Sequence, residues 1–283
     1  MTIFKKVSDL QKFISLYGAA GRETGFVPTM GALHNGHISL IDASRKENRL
    51  TVSSIFVNPV QFNNLEDYEK YPVTIENDIQ MLEKAGCDIL FLPSVDEVYP
   101  GGTKTTKTYA LGYLETVLEG KFRPGHFQGV CRVIERLLSI VQPRNLYLGS
   151  KDYQQCMVIK KLTELTGLDR TTTLRICPTL REPDGLAMSS RNMRLEAGDR
   201  KKAPAIYEAL AAIKNELYRS GVPATEQKAI RFLTDRGLKP DYVAIADASN
   251  LQSVEQWDGQ QKVVALVAAF LNGIRLIDNR VLN

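Results

Sequence analysis

The sequence predicts an α/β protein, in which a Rossmann-like parallel sheet with helices on both faces is followed by a smaller α+β domain. Two observations support this prediction. Short apolar runs alternate with amphipathic helical patterns through residue 178, and several runs are almost continuously apolar, as strands buried on both faces are. After residue 178, helical patterns come first and strands follow. We therefore expect a first domain of residues 1–179 and a second of residues 180–283.

The strands predicted in the first domain are short apolar runs, at residues 25–28, 50–57, 87–93, 145–149 and 171–178. The helices predicted between them cover residues 75–85, 130–141 and 152–165. Each helix has apolar residues at the three- and four-residue spacing of one helix face, as Ile75, Ile79 and Leu82 show. Such alternation of strand and helix indicates a parallel sheet, whose ligands bind beyond the carboxyl ends of the strands.

The second domain has a different pattern. Residues 196–220 and 224–236 are predicted helices, and Gly221-Val222-Pro223 breaks them. The strands predicted after them lie at residues 241–246, 262–271 and 274–278.

Composition excludes several classes of protein. A net charge of +4, with basic residues spread along the chain, does not call for a nucleic-acid partner. No apolar stretch approaches the ~20 residues that span a bilayer, and the N-terminus does not resemble a signal peptide. The cysteines have no C-x-x-C spacing and are expected to be reduced core residues of a cytoplasmic protein: Cys87, Cys131, Cys156 and Cys177.

Residues 29–38 form the most informative segment, because two histidines and two glycines stand where a predicted strand turns into a helix. The first turn of a helix offers N–H groups and a partial positive charge, which suit phosphate. Gly31 and Gly36 would let the backbone approach a ligand, and His34 and His37 add donors. This segment therefore predicts a nucleotide phosphate site.

Four further segments, at the ends of predicted strands or in loops, have side chains or backbone groups that could bind a ligand. Residues 56–62 offer two amides for substrate hydroxyls, although a structural Asn-Pro turn explains them as well. Residues 118–127 form a basic loop that would suit phosphate or simply face solvent. Residues 149–155 repeat the glycine-bearing turn from strand to helix. The Ser-Ser-Arg run in residues 188–192 suits phosphate, but it also suits a helix cap.

Residues 178–182 and the set of three histidines each allow an alternative interpretation. Residues 178–182 could meet an adenine through their backbone or serve as a plain linker. The chain's three histidines, His34, His37 and His126, would give a zinc hydrolase three ligands and an open position. However, H-x-G-H lacks a neighbouring Glu to act as a base. All three histidines lie in segments flanked by Gly or Pro, so none is expected to be a satisfied core histidine.

These segments together resemble the pantoate–β-alanine ligase family, within the nucleotidylyltransferase-like Rossmann superfamily. The matching motifs are P-T-M-G-A-L-H-N-G-H at 28–37, F-V-N-P-V-Q-F at 56–62, Y-P at 71–72, L-E-G-K-F-R-P-G-H-F at 118–127, G-S-K-D-Y-Q-Q at 149–155, D-G-L-A-M-S-S-R-N at 184–192 and L-I-D-N at 276–279. The resemblance implies an enzyme that makes pantoyl adenylate and pyrophosphate from ATP and (R)-pantoate. β-Alanine then displaces AMP to give pantothenate. It further implies Mg²⁺ as cofactor with ATP, a cytoplasmic homodimer, and no nucleic-acid or membrane partner.

The resemblance also implies roles for individual residues. The catalytic set would be His34, His37 and Lys151, with His37 as proton donor. The implied ATP contacts are Met30, Gly31, His34, Gly36, His37, Gly149, Lys151, Asp152, Leu180, Met188, Ser189, Ser190 and Arg191. The residues implied to bind pantoate or β-alanine are Pro28, Thr29, Met30, Asn58, Gln61, Tyr71 and Gln155. Ser150 and Asn77 depart from residues common in relatives, and no protein ligand for a metal is assigned.

Overall fold

The computed structural model describes residues 1–16, 23–62 and 68–283. These residues form two compact units. The N-terminal unit comprises Met1–Ser150 and Gln155–Pro178, and the C-terminal unit comprises Lys151–Gln154 and Thr179–Asn283.

The N-terminal unit contains a parallel sheet. Its strands are β1 (Thr2–Phe4), β2 (Thr24–Thr29), β3 (Leu50–Ile55), β4 (Ile89–Phe91), β5 (Asn145–Gly149) and β6 (Thr173–Cys177). Their order across the sheet is β1-β4-β3-β2-β5-β6, and every pairing is parallel. The parallel sheet predicted from the apolar runs is therefore confirmed.

Helices cover both faces of this sheet, as predicted. They are α1 (Val7–Leu16), α2 (Asn35–Glu47), α3 (Ile75–Lys84), α4 (Val95–Val98), α5 (Leu118–Phe122), α6 (His126–Val141) and α7 (Tyr153–Thr166). Successive strand residues point to opposite faces, so neighbours on β2 enter different cores. Phe26 packs in the core that contains Leu137 of α6, whereas Val27 packs with Ile41 of α2 and Leu82 of α3.

The order of the strands creates one topological switch point. The chain runs from β2 through β3 to β4 on one side, whereas β5 and β6 lie on the other side of β2. The connections that follow β2 and β5 therefore diverge, which leaves a crevice beyond their carboxyl ends. Thr29 ends β2 and Gly149 ends β5, so the segments that the sequence singled out begin at this crevice.

The C-terminal unit combines helices with an antiparallel sheet. Its elements are α8 (Ala197–Lys202), α9 (Ala205–Ser220), α10 (Val222–Asp235), β7 (Lys239–Asp247), β8 (Val263–Leu271) and β9 (Ile274–Val281). The strands pair in the order β7-β8-β9. The sequence predicted this α+β arrangement, and the structure confirms it.

Two helix boundaries were predicted wrongly. The single helix expected over residues 196–220 is two helices, because Pro204 has no N–H to continue the hydrogen bonds of α8. The expected break at residues 221–223 is confined to Gly221, whose φ is +72°. Pro223 lies in the first turn of α10, where a missing N–H costs nothing.

Along the described parts of the chain, no helix combines the length and apolarity required to cross a membrane.

Candidate active site

The end of β2 is held by the side chain of Thr29. Its hydroxyl donates to the carbonyl of Ser54 on β3 across 2.7 Å and accepts from the N–H of Gly31 across 3.2 Å. Thr29 is buried, and both of these bonds are internal to the N-terminal unit. The geometry therefore gives Thr29 a role in shaping the turn that follows β2.

The turn itself passes through two successive left-handed residues. Gly31 has φ +82° and Ala32 has φ +49°. The N–H groups of Ala32 and Leu33 donate to the carboxylate of Asp78 on α3. Sequence reasoning did not single out Asp78, although it lies on the apolar face that predicted α3.

His34 and His37 form a reciprocal cap at the start of α2. The Nδ1 of His34 accepts from the N–H of Gly36 across 3.1 Å, and the Nδ1 of His37 accepts from the N–H of His34 across 3.3 Å. An accepting ring nitrogen carries no proton, so in each neutral ring the proton is on Nε2. The two ring centroids are 4.0 Å apart. The predicted pair is thus brought together with both Nε2 atoms in the donor form.

The electrostatics of this helix terminus suit an anion. α2 is 13 residues long and has no acidic residue in its first turn, whereas Arg45 and Lys46 lie in its last turn. α2 therefore contributes no carboxylate of its own at its N-terminus, and the nearby carboxylate of Asp78 is engaged by the N–H groups of Ala32 and Leu33. Together with two Nε2–H donors, this arrangement can stabilise negative charge on phosphate oxygens.

The end of β3 leads into a short helical turn, Pro59–Gln61, that is capped by Asn58. The Asn58 Oδ1 accepts from the N–H of Val60 across 3.3 Å, and its Nδ2 donates to the Gln61 Oε1 across 3.2 Å. The Gln61 Nε2 in turn contacts the Sδ of Met30 at 2.7 Å. Asn58 is buried, so it orients Gln61 and Met30 through an internal network. The structural Asn-Pro turn that the sequence left open is present.

Two residues that the sequence did not single out support this turn. The Tyr99 hydroxyl donates to the Asn58 Oδ1 across 2.9 Å, and burial raises the pKa of Tyr99 to about 12, so the hydroxyl keeps its proton at neutral pH. Gly129 lets α6 approach closely, because a Cβ there would lie 2.6 Å from the Cα of Gln61. No periodicity or short motif marks either residue.

His126 is a satisfied buried histidine, which corrects the expectation from its flanking residues. Its Nδ1 donates to the carbonyl of Gln61 across 2.8 Å, and its Nε2 accepts from Arg123 across 3.1 Å. The surrounding basic segment is helical as α5 and the start of α6, and Arg123 also pairs with Glu119 at 3.8 Å. His126 therefore supports the Gln61 turn, and both of its ring nitrogens are engaged by these partners.

The other substrate residues implied for this unit lie around the same strand ends. Pro28 is half-buried on β2, beside Ser54 of β3. Tyr71 is buried, and its ring meets the edge of Phe62 with the centroids 5.7 Å apart.

The end of β5 contributes a glycine with open space beside it. A Cβ at Gly149 would meet nothing within 4 Å among the described atoms, so the fold itself does not require glycine there. Gln155 is half-buried on α7, and its side-chain amide makes no hydrogen bond within the described ranges. Both features are compatible with a ligand beside β5.

The C-terminal unit holds Lys151 through its backbone. The Nδ2 of Asn279 on β9 donates to the carbonyl of Lys151 across 2.7 Å. The Lys151 ammonium lies 3.5 Å from the carboxylate of Asp152, and the Lys151 side chain is 17% exposed. The L-I-D-N segment, which the sequence used only as a family marker, therefore positions a predicted site residue.

Residues 180–188 fold back on themselves before the Ser-Ser-Arg run. The N–H of Met188 donates to the carbonyl of Leu180 across 3.1 Å, and Arg181 pairs with Ala187 as an isolated bridge. The Arg181 guanidinium binds the buried carboxylate of Asp278 with two hydrogen bonds, of 2.5 and 3.0 Å. This ion pair ties the turn to β9.

The Ser-Ser-Arg run begins a short helical turn, Ser190–Arg194. The Ser189 hydroxyl accepts from the N–H of Arg191 across 3.3 Å, and Ser190 is buried. The cap that the sequence left open is therefore present, and it fixes the backbone of Arg191. A hydrogen bond from Arg200 lowers the pKa of Asp184, which anchors the segment just before this run.

In residues 1–16, 23–62 and 68–283, no group of three or more His, Cys, Asp and Glu side chains is arranged to hold a metal ion. The four cysteines form no disulfide; Cys87, Cys131 and Cys156 are buried, and Cys177 is half-buried. Burial raises the pKa of Cys87 and of Cys131 to about 12, so these thiols stay protonated, as expected of core residues.

A polar recess of about 490 Å³ lies at the opposite, amino-terminal edge of the sheet. Two of its three arginines pair with its glutamates, Arg175 with Glu47 at 3.2 Å and Arg49 with Glu23 at 3.5 Å. It is therefore unrelated to the strand ends that hold the histidine pair.

Comparison with known proteins agrees with this arrangement. The family model described as Pantoate-beta-alanine ligase matches residues 2–281. A protein named pantothenate synthetase from Cytophaga hutchinsonii is 44% identical, and the match covers 91% of each chain. A second protein of that name, from Bacteroides fragilis, is 41% identical, and the match covers 99% of this chain and 98% of the relative.

Solved structures are similar over nearly the whole chain. Pantothenate synthetase from Thermus thermophilus has a TM-score of 0.87 and 40% identity, with 99% of each chain covered. A pantoate-beta-alanine ligase from Francisella tularensis, complexed with beta-gamma ATP and beta-alanine, has a TM-score of 0.81 and 38% identity, covering 99% of this chain and 97% of that chain.

Proposed function

We infer that this protein, which belongs to the pantoate-beta-alanine ligase family, uses ATP to join pantoate to β-alanine. The observation that carries the inference from the structure is the histidine pair at the N-terminus of α2, at the switch point of the sheet. The complex of the Francisella tularensis ligase with beta-gamma ATP and beta-alanine supports the same pair of substrates here.

The first step that we propose is adenylation of pantoate. A pantoate carboxylate oxygen attacks the α-phosphorus of ATP, the bond to the β-phosphate oxygen breaks, and pyrophosphate leaves. Such a transfer needs positioning and charge stabilisation and no covalent protein nucleophile. The Nε2–H groups of His34 and His37, with the helix terminus behind them, would stabilise charge on the phosphates. His37 would serve as the proton donor.

The second step is attack by the free amine of β-alanine on the carbonyl carbon of the adenylate. The amide bond forms, the bond from that carbon to the phosphate oxygen breaks, AMP leaves, and the amine releases a proton. The side chain that accepts this proton is not assigned.

For pantoate, we propose that Gln61 and Gln155 bind the hydroxyl and carboxylate as neutral amides. Pro28, Met30 and Tyr71 would line the same pocket. The internal hydrogen bonds of Thr29 and Asn58 support an indirect role, in which they hold the strand end and the Gln61 turn.

For ATP, we propose contacts in each unit. In the N-terminal unit these are Met30, Gly31, His34, Gly36, His37 and Gly149. In the C-terminal unit they are Lys151, Asp152, Leu180, Met188, Ser189, Ser190 and Arg191. The ion pair of Arg181 with the buried Asp278, beside the turn of residues 180–188, and the cap at Ser189 support an ordered backbone in the second group.

We propose that Mg²⁺ arrives with ATP, since this ion prefers oxygen ligands and commonly binds substrate phosphates while it keeps several waters. No protein ligand is assigned to it. We further propose a cytoplasmic homodimer, supported by the family resemblance. The four cysteines form no disulfide, which fits a reducing compartment.

Purified protein supplied with ATP, Mg²⁺, D-pantoate and β-alanine tests the function. We expect AMP and pantothenate in equal amounts, with neither formed when pantoate is omitted. Folded Lys151→Ala should lose most of this turnover. Formation of ADP, or AMP release that does not depend on pantoate, would contradict the proposal.

A further inference from the structure

Asp78 is a fully buried carboxylate inside the N-terminal unit. It lies on α3 with 0% of its surface exposed. Its Oδ1 accepts from the N–H of Leu33 across 2.8 Å and from the Thr74 hydroxyl across 3.0 Å, and its Oδ2 accepts from the N–H of Ala32 across 3.0 Å. No Lys or Arg of the described residues forms an ion pair with it. A buried carboxylate without a cation is costly, so its hydrogen bonds must be well satisfied.

The two backbone groups that Asp78 binds belong to the left-handed turn after β2. Ala32 has φ +49°, which is unfavourable for a residue with a Cβ and persists only where the surroundings fix it. The carboxylate supplies that restraint, because it binds the N–H of Ala32 and of the next residue at once. Because the N–H groups of Ala32 and Leu33 donate to Asp78, they are not available to a ligand.

The same turn determines where the histidine pair begins. His34 follows Leu33 directly, and its extended backbone (φ −142°, ψ 171°) starts the reciprocal cap of α2. A shift of the Ala32 and Leu33 peptides would therefore move the backbone of His34. It would also move the ring of His37, which the His34 N–H holds through Nδ1.

We propose that Asp78 is a positioning residue, which sets the orientation of the His34 and His37 rings by clamping the peptides before them. This proposal rests on the proposed function only where it predicts a change in turnover. Asp78 does not itself contact a reacting atom, since both of its oxygens are engaged within the fold.

The test compares Asp78→Asn with Glu76→Gln. Both variants replace one carboxylate by an amide in the first turn of α3, but Glu76 is exposed and Asp78 is buried. In Asp78→Asn the amide NH₂ would face a backbone N–H, so one clamp is lost. The chain has three histidines, so their ring resonances can be assigned in ¹⁵N-labelled protein.

We expect Asp78→Asn to shift the ring resonances of His34 and His37, to leave those of His126 in place, and to lower kcat about ten- to a hundredfold with little change in KM for pantoate. Glu76→Gln should change none of these. Shifted rings together with wild-type protein that makes no pantothenate would retain the clamp and reject the proposed function.

A folded Asp78→Asn with unchanged His34 and His37 resonances would overturn the proposal. If Asp78→Asn does not fold, Thr74→Ala tests the proposal instead. This variant removes the hydroxyl that donates to the Asp78 Oδ1, and it leaves the carboxylate as acceptor for the N–H groups of Ala32 and Leu33. We expect smaller shifts of the same two rings in Thr74→Ala, and their absence would likewise reject the clamp.

Discussion

Asn279 on the last strand holds the backbone of Lys151, with 2.7 Å between its Nδ2 and the Lys151 carbonyl oxygen. Asn279 is buried, and its own N–H donates to the carboxylate of Asp278 across 2.7 Å. A predicted site residue that follows β5 in sequence is thus held by a residue near the end of the chain. The position of Lys151 therefore depends on β9 as much as on its own turn.

Asn279→Ala should weaken the use of ATP. The variant removes one hydrogen bond to the Lys151 backbone, worth about 1 kcal/mol, so we expect KM for ATP to rise about fivefold. KM for pantoate should change little. Asn283→Ala is the matched control, because Asn283 also donates to a carbonyl, that of Gln261, at an exposed position. Equal effects of the two variants would remove the role of Asn279.

The ion pair between Arg181 and the buried carboxylate of Asp278 should contribute more to stability than an exposed pair does. Asp278→Ala leaves the guanidinium, whose side chain is 23% exposed, without its carboxylate, and we expect the free energy of unfolding to fall by about 2–3 kcal/mol. Glu208→Ala breaks the pair with Arg236, in which both side chains are about half exposed, and should cost less than about 1 kcal/mol. Denaturant titration measures both losses, and similar values would contradict this account.

Tyr99→Phe should raise KM for pantoate and leave KM for ATP unchanged. The variant removes the donor to the Asn58 Oδ1 and so loosens the turn that holds Gln61. We expect KM for pantoate to rise about three- to tenfold, the equivalent of one hydrogen bond. Tyr147→Phe is the control, since the buried Tyr147 donates to Glu47 at the far end of α2. The account fails if KM for pantoate rises equally in both variants.

His37→Ala should mainly lower kcat, whereas His126→Ala should mainly lower the free energy of unfolding. Removal of His37 takes a donor from the phosphate site, and we expect kcat to fall about 10²–10³-fold while the cap loss costs only about 1 kcal/mol of stability. Removal of His126 leaves the buried carbonyl of Gln61 without its donor, and we expect a loss of about 1–3 kcal/mol in the free energy of unfolding. A folded His37→Ala with near-normal kcat would contradict its assignment.

The sequence predicted the fold because the strands of a parallel sheet are apolar on both faces. All six residues of β3 are buried, and such a run is visible without any partner. β1 was not predicted, because it has three residues, two of them exposed, and becomes a strand only through pairing with β4. The residues that make it a strand are those of β4, which lie far along the chain.

The geometry of the candidate site was predictable where one short segment carries both the turn and the side chains. His34 and His37 are of this kind, since glycine, histidine and the helix start are adjacent in sequence. The roles of Tyr99, Gly129 and Asn279 were not found, because each acts on a segment between 41 and 128 residues away. Asp78 did leave a signal: it is a charged residue on the face that Ile75, Ile79 and Leu82 define.

Exchange of labelled pyrophosphate into ATP tests the central claim most directly, since it requires that adenylation be reversible and precede amide formation. With Mg²⁺ and pantoate present and β-alanine absent, we expect label to enter ATP, and we expect folded His37→Ala to slow this exchange about 10²-fold or more. Exchange that occurs only after β-alanine is added, or that proceeds without pantoate, would contradict an adenylate formed at the histidine pair.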